Sequence, residues 1–238
     1  MDNATYVALT RQTGLAREMQ VIAHNIANAD TTGFRREGVV FSEFVRGLDG
    51  PEESLSMALG DTRQIIQTQG ALIQTNGTFD LAIEGEGFFL VETPRGERLT
   101  RAGTFTPKPA GELVNMDGHR LLDAGGAPIF VPPDAQGIAV ARDGTMSADG
   151  QPVAEIGLHR PIDPLDLQRE AGGLFRVEEG FEPIEAPVIV QGFIEGSNVD
   201  PLTEVSRMIA VQRAYEQGQR LLEREDERQR NVIQTLGR

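Results

Sequence analysis

Asn198-Val199-Asp200-Pro201-Leu202-Thr203-Glu204-Val205-Ser206-Arg207-Met208-Ile209 opens the final run to Arg238, and how it is read decides the fold. Asp200 is a good helix N-cap, and Pro201 suits the first helical position, where a missing N–H costs nothing. Apolar residues then recur at Leu202, Val205, Met208, Ile209, Tyr215, Leu222, Ile233 and Leu236. The spacings are mostly threes, fours and sevens, a narrow stripe of the kind that pairs with another helix. No proline follows Pro201, and Gly218 is the weak point, costing about 1 kcal/mol against Ala. Such a helix spans about 55 Å, too long for the core of a small domain.

The other end of the chain carries a matching stripe. Leu15, Met19, Ile22 and Ile26 lie within a helix predicted over residues 4–28. Two narrow stripes, one per terminus, find their nearest partner in each other. Both helices adjoin the same central body, so they pair as an antiparallel coiled coil, with Tyr215 expected near Leu15 to Met19.

Composition separates the ends from the middle. The net charge of −14 lies entirely in residues 30–198. Residues 1–29 balance Asp2 and Glu18 against Arg11 and Arg17, and residues 199–238 balance seven acids with seven arginines. An acidic middle argues against a nucleic-acid surface. Electroneutral ends suit packing against copies of themselves, where net charge would repel. All 11 Phe fall between Phe34 and Phe193, whereas Tyr6 and Tyr215 sit one in each terminal helix. The middle has a core of its own; the ends have only stripes. No cysteine is present, which excludes disulfides, thiol catalysis and Cys-ligated metal. No basic-then-apolar leader and no apolar run of membrane-spanning length is found, so no direct membrane insertion is expected.

Asn28-Ala29-Asp30-Thr31-Thr32-Gly33-Phe34 ends the first helix with turn-forming residues. Residues 46–60, with Gly47, Gly50, Pro51 and Gly60, read as a mobile surface loop. Phe79 to Glu84 alternates with period two, as a half-buried strand does. Phe88 to Glu92 and Glu97 to Ala102 follow as strands around Pro94-Arg95-Gly96. Asp117-Gly118, Asp143-Gly144 and Asp149-Gly150 between short apolar runs are hairpin signals. Val188 to Phe193 reads as one last strand. The fold class is therefore a mainly β central domain flanked by long N- and C-terminal α-helices. The boundaries are 1–30 plus 199–238 for the helical part, 31–75 plus 186–198 for an extended connector, and 76–185 for an all-β outer domain.

Little in the chain suggests catalysis. His24, His119 and His159 lack the ligand spacings of zinc motifs and read as surface or packing residues. Gly85-Glu86-Gly87 joins two strands, so the helix N-terminus of a phosphate loop is missing. Asp80 and Glu84 share a strand face, as carboxylates in most solvated strands do. An enzyme reading requires a pocket that gathers Asp80, Glu84 and His119. No catalytic residue, metal or cofactor is expected.

Three ordered segments carry a family resemblance. Asn25-Ile26-Ala27-Asn28-Ala29-Asp30-Thr31-Thr32-Gly33-Phe34 resembles the N-terminal signature of bacterial flagellar rod and hook proteins. Asp80-Leu81-Ala82-Ile83-Glu84-Gly85-Glu86-Gly87-Phe88-Phe89, then Thr100-Arg101-Ala102-Gly103-Thr104-Phe105, is similar to their β segment. Glu195-Gly196-Ser197-Asn198-Val199-Asp200 and Met208 to Glu216 resemble their C-terminal signature. His24 stands where these proteins often carry Asn. The resemblance implies a structural subunit of the basal-body rod, built into the axial tube through its terminal helices. It implies other rod proteins and copies of itself as partners, and export by the flagellar apparatus without a cleaved leader. The short length and the opening Met1 to Gln12 fit a proximal rod component, with the distal rod protein as the alternative inside the family. A secreted adhesin with a helical stalk is the alternative outside it. The residues expected to pack subunits are Leu15, Met19, Ile22, Asn25, Ile26, Asn28, Gly33, Phe34, Asn198, Leu202, Val205, Met208, Ile209, Arg213, Tyr215, Leu222, Ile233 and Leu236.

Overall fold

The computed structural model describes residues 2–47 and 54–236, with side chains described at these positions except 2–7, 41–63, 233 and 236. Ile233 and Leu236 of the stripe, and the tip of the 46–60 segment, lie outside that description. The chain forms two compact units. One comprises residues 1–27, 37–64 and 200–238; the other comprises 28–36 and 65–199.

The first unit holds helix α1 (Asp2–Ala27), strands β1 (Glu37–Gly47) and β2 (Ser54–Ile65), and helix α2 (Pro201–Leu236). Asp200 starts α2 as its sequence promised. Its Oδ1 accepts the Leu202 amide at 3.2 Å, and its Oδ2 takes the Thr203 hydroxyl, which holds the carboxyl below its usual range. The two helices run antiparallel, with Arg207 bonded to Glu18 and Gln12 bonded to the Tyr215 carbonyl. That register sets the Tyr215 backbone opposite Gln12, about one turn before Leu15. With 36 residues against 26, α2 outruns α1. Residues 46–60 are not a loop throughout: β1 reaches Gly47 and β2 begins at Ser54, the two strands pairing in a two-stranded sheet.

The second unit is all-β. In chain order it holds β3 (Leu72–Gln74), β4 (Leu81–Ile83), β5 (Phe88–Thr93), β6 (Gly96–Thr100), β7 (Thr106–Pro107), β8 (Leu113–Val114), β9 (Arg120–Leu121), β10 (Ile138–Val140), β11 (Thr145–Ala148), β12 (Gln151–Glu155), β13 (Leu158–Pro161), β14 (Gln168–Glu170), β15 (Leu174–Arg176), β16 (Phe181–Pro183), β17 (Ile189–Gln191) and β18 (Phe193–Glu195). The main sheet runs β14-β15-β6-β5-β9-β8-β7, with β13 pairing both β5 and β16. β10-β11-β12 form a meander, turned at Asp149-Gly150, where both residues take positive φ.

Two expectations about strands are corrected. Leu81, Ala82 and Ile83 are all buried, so β4 is covered on both faces rather than half-buried. Its edges are paired as well: β17 runs along it, and the Leu81 amide donates to the Gly103 carbonyl at 2.8 Å. The run from Val188 to Phe193 is two strands, not one. Gly192, with φ +78°, breaks it, so β17 pairs β4 while β18 turns to pair β3. The core gathers Leu81, Ile83, Phe89, Val91, Phe105, Leu113, Leu121 and their neighbours, with Phe89 and Phe105 edge to face at 5.5 Å.

Candidate assembly site

The α1–α2 seam is held as much by polar as by apolar groups. Val21, Ile22 and Val211 are buried. So are Gln12, Glu18, Asn25 and Glu204. Asn25 Nδ2 donates to Glu204 Oε2 at 3.1 Å and to the Glu37 carbonyl at 2.8 Å, while its Oδ1 accepts the Glu37 amide at 2.9 Å. One asparagine thus joins α1, α2 and the start of β1. Arg207 grips Glu18 Oε1 with both Nε and Nη2, at 3.0 and 2.7 Å. Farther along, Gln12 Nε2 reaches the Tyr215 carbonyl at 2.8 Å and lies where Gly218 offers no side chain. Buried polar pairs of this kind fix register. The apparent weakness at Gly218 is the notch that admits Gln12.

In the second unit the three sequence motifs converge on one carboxylate. Glu195 is fully buried. Its Oε1 accepts from Arg35 and, at 2.8 Å, from the Gly70 amide; its Oε2 accepts Arg101 Nε at 2.8 Å and Nη2 at 2.7 Å. Arg35 follows Gly33-Phe34, Arg101 lies in the β segment, and Glu195 opens the C-terminal signature. Arg35 also donates to the Thr68 carbonyl, and Arg101 to the Gly87 and Gly85 carbonyls. Burial pushes both guanidiniums down, Arg101 to about 10 with the neighbouring Arg35 adding to the effect, while Glu195 pulls both back up. Arg101 therefore remains charged at neutral pH. Gly33, at φ +68°, donates its amide to the Glu195 carbonyl at 2.7 Å, and a Cβ there would collide with the Arg101–Ala102 backbone. Asn198 completes the knot. Its Oδ1 accepts the Arg36 amide at 2.5 Å, and its Nδ2 donates to the Ile66 and Thr68 carbonyls. Arg169 lies over the Phe34 ring, 4.2 Å from its centroid.

The predicted packing residues divide. Ile22, Asn25, Gly33 and Phe34 are buried; Leu15, Met19, Ile26, Asn28, Asn198, Met208, Tyr215 and Leu222 are partly buried. Leu202, Val205, Ile209 and Arg213 are exposed, Leu202 at 79%. The α2 stripe is therefore two stripes: one faces α1, and another faces away from it. Gln12, Glu18, Arg35, Arg101, Glu195, Glu204 and Arg207 were not singled out as packing residues. The only early signal for them was their place inside or beside the motifs.

Asp80, Glu84 and His119 are engaged separately. Asp80 accepts the Thr75 hydroxyl at 2.6 Å, Glu84 pairs with Arg142, and His119 lines a different surface, with Arg120 and Glu112. His159 is buried edge to face with Phe181. Among the described residues no group of acids and histidines is placed to hold a metal ion, and no helix is long and apolar enough to cross a membrane.

Comparison with known proteins matches these parts in order. Residues 6–35 match the family model "Flagella basal body rod protein", residues 82–148 "Flagellar hook protein FlgE/F/G D1 domain", and residues 190–235 "Flagellar basal body rod FlgEFG protein C-terminal". The chain is 39% identical over 245 residues to the flagellar basal-body rod protein FlgF of Caulobacter vibrioides, covering 100% of this chain and 99% of that one. It is 37% identical to FlgF of Mesorhizobium japonicum, over 100% of this chain and 99% of that one. It is 30% identical to the rod protein FlgG of Bacillus subtilis, over 95% of this chain and 96% of that one.

Proposed function

The chain belongs to the FlgF branch of the flagellar basal-body rod proteins and is a non-enzymatic structural subunit of that rod, and from this premise we propose how it is built in. It occupies the proximal rod, and its α1–α2 pair forms part of the tube wall. Its neighbours are copies of itself and other rod proteins, the distal rod protein among them. The contacts run through the residues the two stripes leave outward, Leu202, Val205, Ile209 and Arg213, with the buried set from Ile22 to Phe34 holding each subunit's own shape. It reaches the rod through the flagellar export apparatus.

One observation carries this reading. An apolar stripe of Leu202, Val205 and Ile209, exposed at 79, 45 and 46%, runs along a helix whose opposite side is already satisfied by α1. Water-exposed leucine and isoleucine in register on one face mark a contact surface. Immunogold imaging of purified basal bodies tests it. Label confined to the rod near its membrane-proximal end is expected. Label at the distal end would favour the distal-rod alternative, and label on the cell surface alone would favour an adhesin.

A further inference from the structure

The lower half of the helix pair has two edges of opposite sign. On one side, Arg11 of α1 and Arg220 and Arg224 of α2 surround a cleft of about 390 Å³ floored by Ala214, Gly218 and Leu221. Leu221 is 59% exposed there. On the other side, Glu216, Glu223 and Glu227 follow one another at spacings of seven and four, which places them in one row. At about 100° per residue that row lies roughly 120° around α2 from the centre of the cleft. Glu223, Glu227, Arg11 and Arg224 are all exposed, and none of the four forms an ion pair among the described residues.

We propose that this cleft receives the Glu223–Glu227 edge of α2 from a second copy of the chain. The proposal rests on the rod reading and names the lateral contact within it. Arg220 already pairs with Glu216 of its own helix at 3.7 Å, which leaves Arg11 and Arg224 on one edge and Glu223 and Glu227 on the other without an ion pair among the described residues. They are complementary, and every copy carries both. A contact between different patches on identical chains is head-to-tail, and it repeats around a ring or helix instead of stopping at a dimer. The cleft offers the guanidiniums that pair planar carboxylates, together with an apolar floor that the acids' methylenes cover.

The absence of cysteine makes the test clean. Full-length Gln217→Cys, at a position lining the cleft, and Glu223→Cys chains are co-produced in flagellated cells as the only copies, and basal bodies are purified and oxidised. A disulfide-linked dimer is expected from the mixture and not from either chain alone. Arg11→Glu with Arg224→Glu lowers the amount of chain in the rods about tenfold, as loss of matched interfacial charge does. Co-production with the Glu223→Arg, Glu227→Arg chain restores it, which also shows that the reversed chains fold. Chain present in the rods with no dimer, a dimer with a different rod protein instead, or failure of the swap to restore assembly overturns the cleft assignment while leaving the rod reading intact. Unmodified chain missing from purified rods overturns both.

Discussion

At Glu195 a single carboxylate serves two guanidiniums and a backbone amide in a site closed to water. Removing its charge leaves two buried cations with nothing to balance them. Glu195→Gln is expected to cost about 3–5 kcal/mol, read as a lowered denaturant midpoint of the β unit, because breaking a buried pair exposes the desolvation penalty of its partner. An unchanged midpoint would show the cluster to be solvated. Two glycines give opposite expectations. Gly33→Ala places a Cβ against backbone at positive φ, where nothing can give way, and should cost at least about 2 kcal/mol. Gly218→Ala meets only the tip of Gln12, a flexible side chain, and gains helix propensity of about 1 kcal/mol; the lost bond to Tyr215 offsets this, leaving a net change within about 1 kcal/mol. His159 is a third case. Burial lowers its pKa below the ordinary 6.5, so the native state keeps it neutral where the unfolded chain takes up a proton. Stability is therefore full above 6.5 and falls as the pH drops below it. His159→Leu should flatten the decline in Tm between neutral and mildly acid pH; parallel slopes would remove the histidine from the account. The turn at Gly33, the helix penalty at Gly218 and a packing role for His159 were legible beforehand; the role of Glu195 was not. A glutamate in Glu195-Gly196-Ser197-Asn198 reads as solvated, since its partners lie 94 and 160 residues away and only the fold brings them together.

At the scale of elements, the helices were legible because capping and periodicity are local. Asp200-Pro201 fixes the start of α2, and the stripes fix the pairing. Which stripe residues face α1 was not legible. Leu202, Val205 and Ile209 belong to the same apolar list as Met208 and Tyr215, and only the register at Arg207–Glu18 sorts them. The strand boundaries failed in two opposite ways: at 46–60 glycines and a proline were read as a loop although β1 and β2 extend into the segment, and at Gly192 a positive-φ break was read straight through. The sorting of α2 has a consequence. Leu202→Ser, Val205→Ser and Ile209→Ser together remove surface that is already wet, so monomer stability should change by less than about 1 kcal/mol. The same chain should be missing from rods and its cells non-motile. A large fall in the melting temperature of the purified variant would show that these side chains serve the chain's own interior.

The two units differ in how much each buries, and the whole molecule inherits that difference. The β unit closes two apolar clusters, one in which Leu81, Phe89, Val91 and Leu113 are wholly shielded and one in which Leu99 and Phe175 are. In α2, by contrast, only Glu204 and Val211 are buried among the described side chains. Ordering each residue costs about 1–2 kcal/mol, and a helix that shields one valine and one paired acid recovers little of it within its own chain. The ends are therefore expected to stay loose until neighbours supply the missing surface. In a dilute solution verified as monomeric, backbone amides of β5, β6 and β15 should exchange hydrogen slowly. Those of α2 beyond Val211 should exchange orders of magnitude faster, as locally opening segments do. The same amides should become protected when the protein is isolated within rods, since a partner that binds only the ordered state stabilises it by mass action. Slow exchange throughout α2 in the isolated monomer would mean that the helix is complete by itself, and assembly would then need another source of free energy than the covering of its outer face.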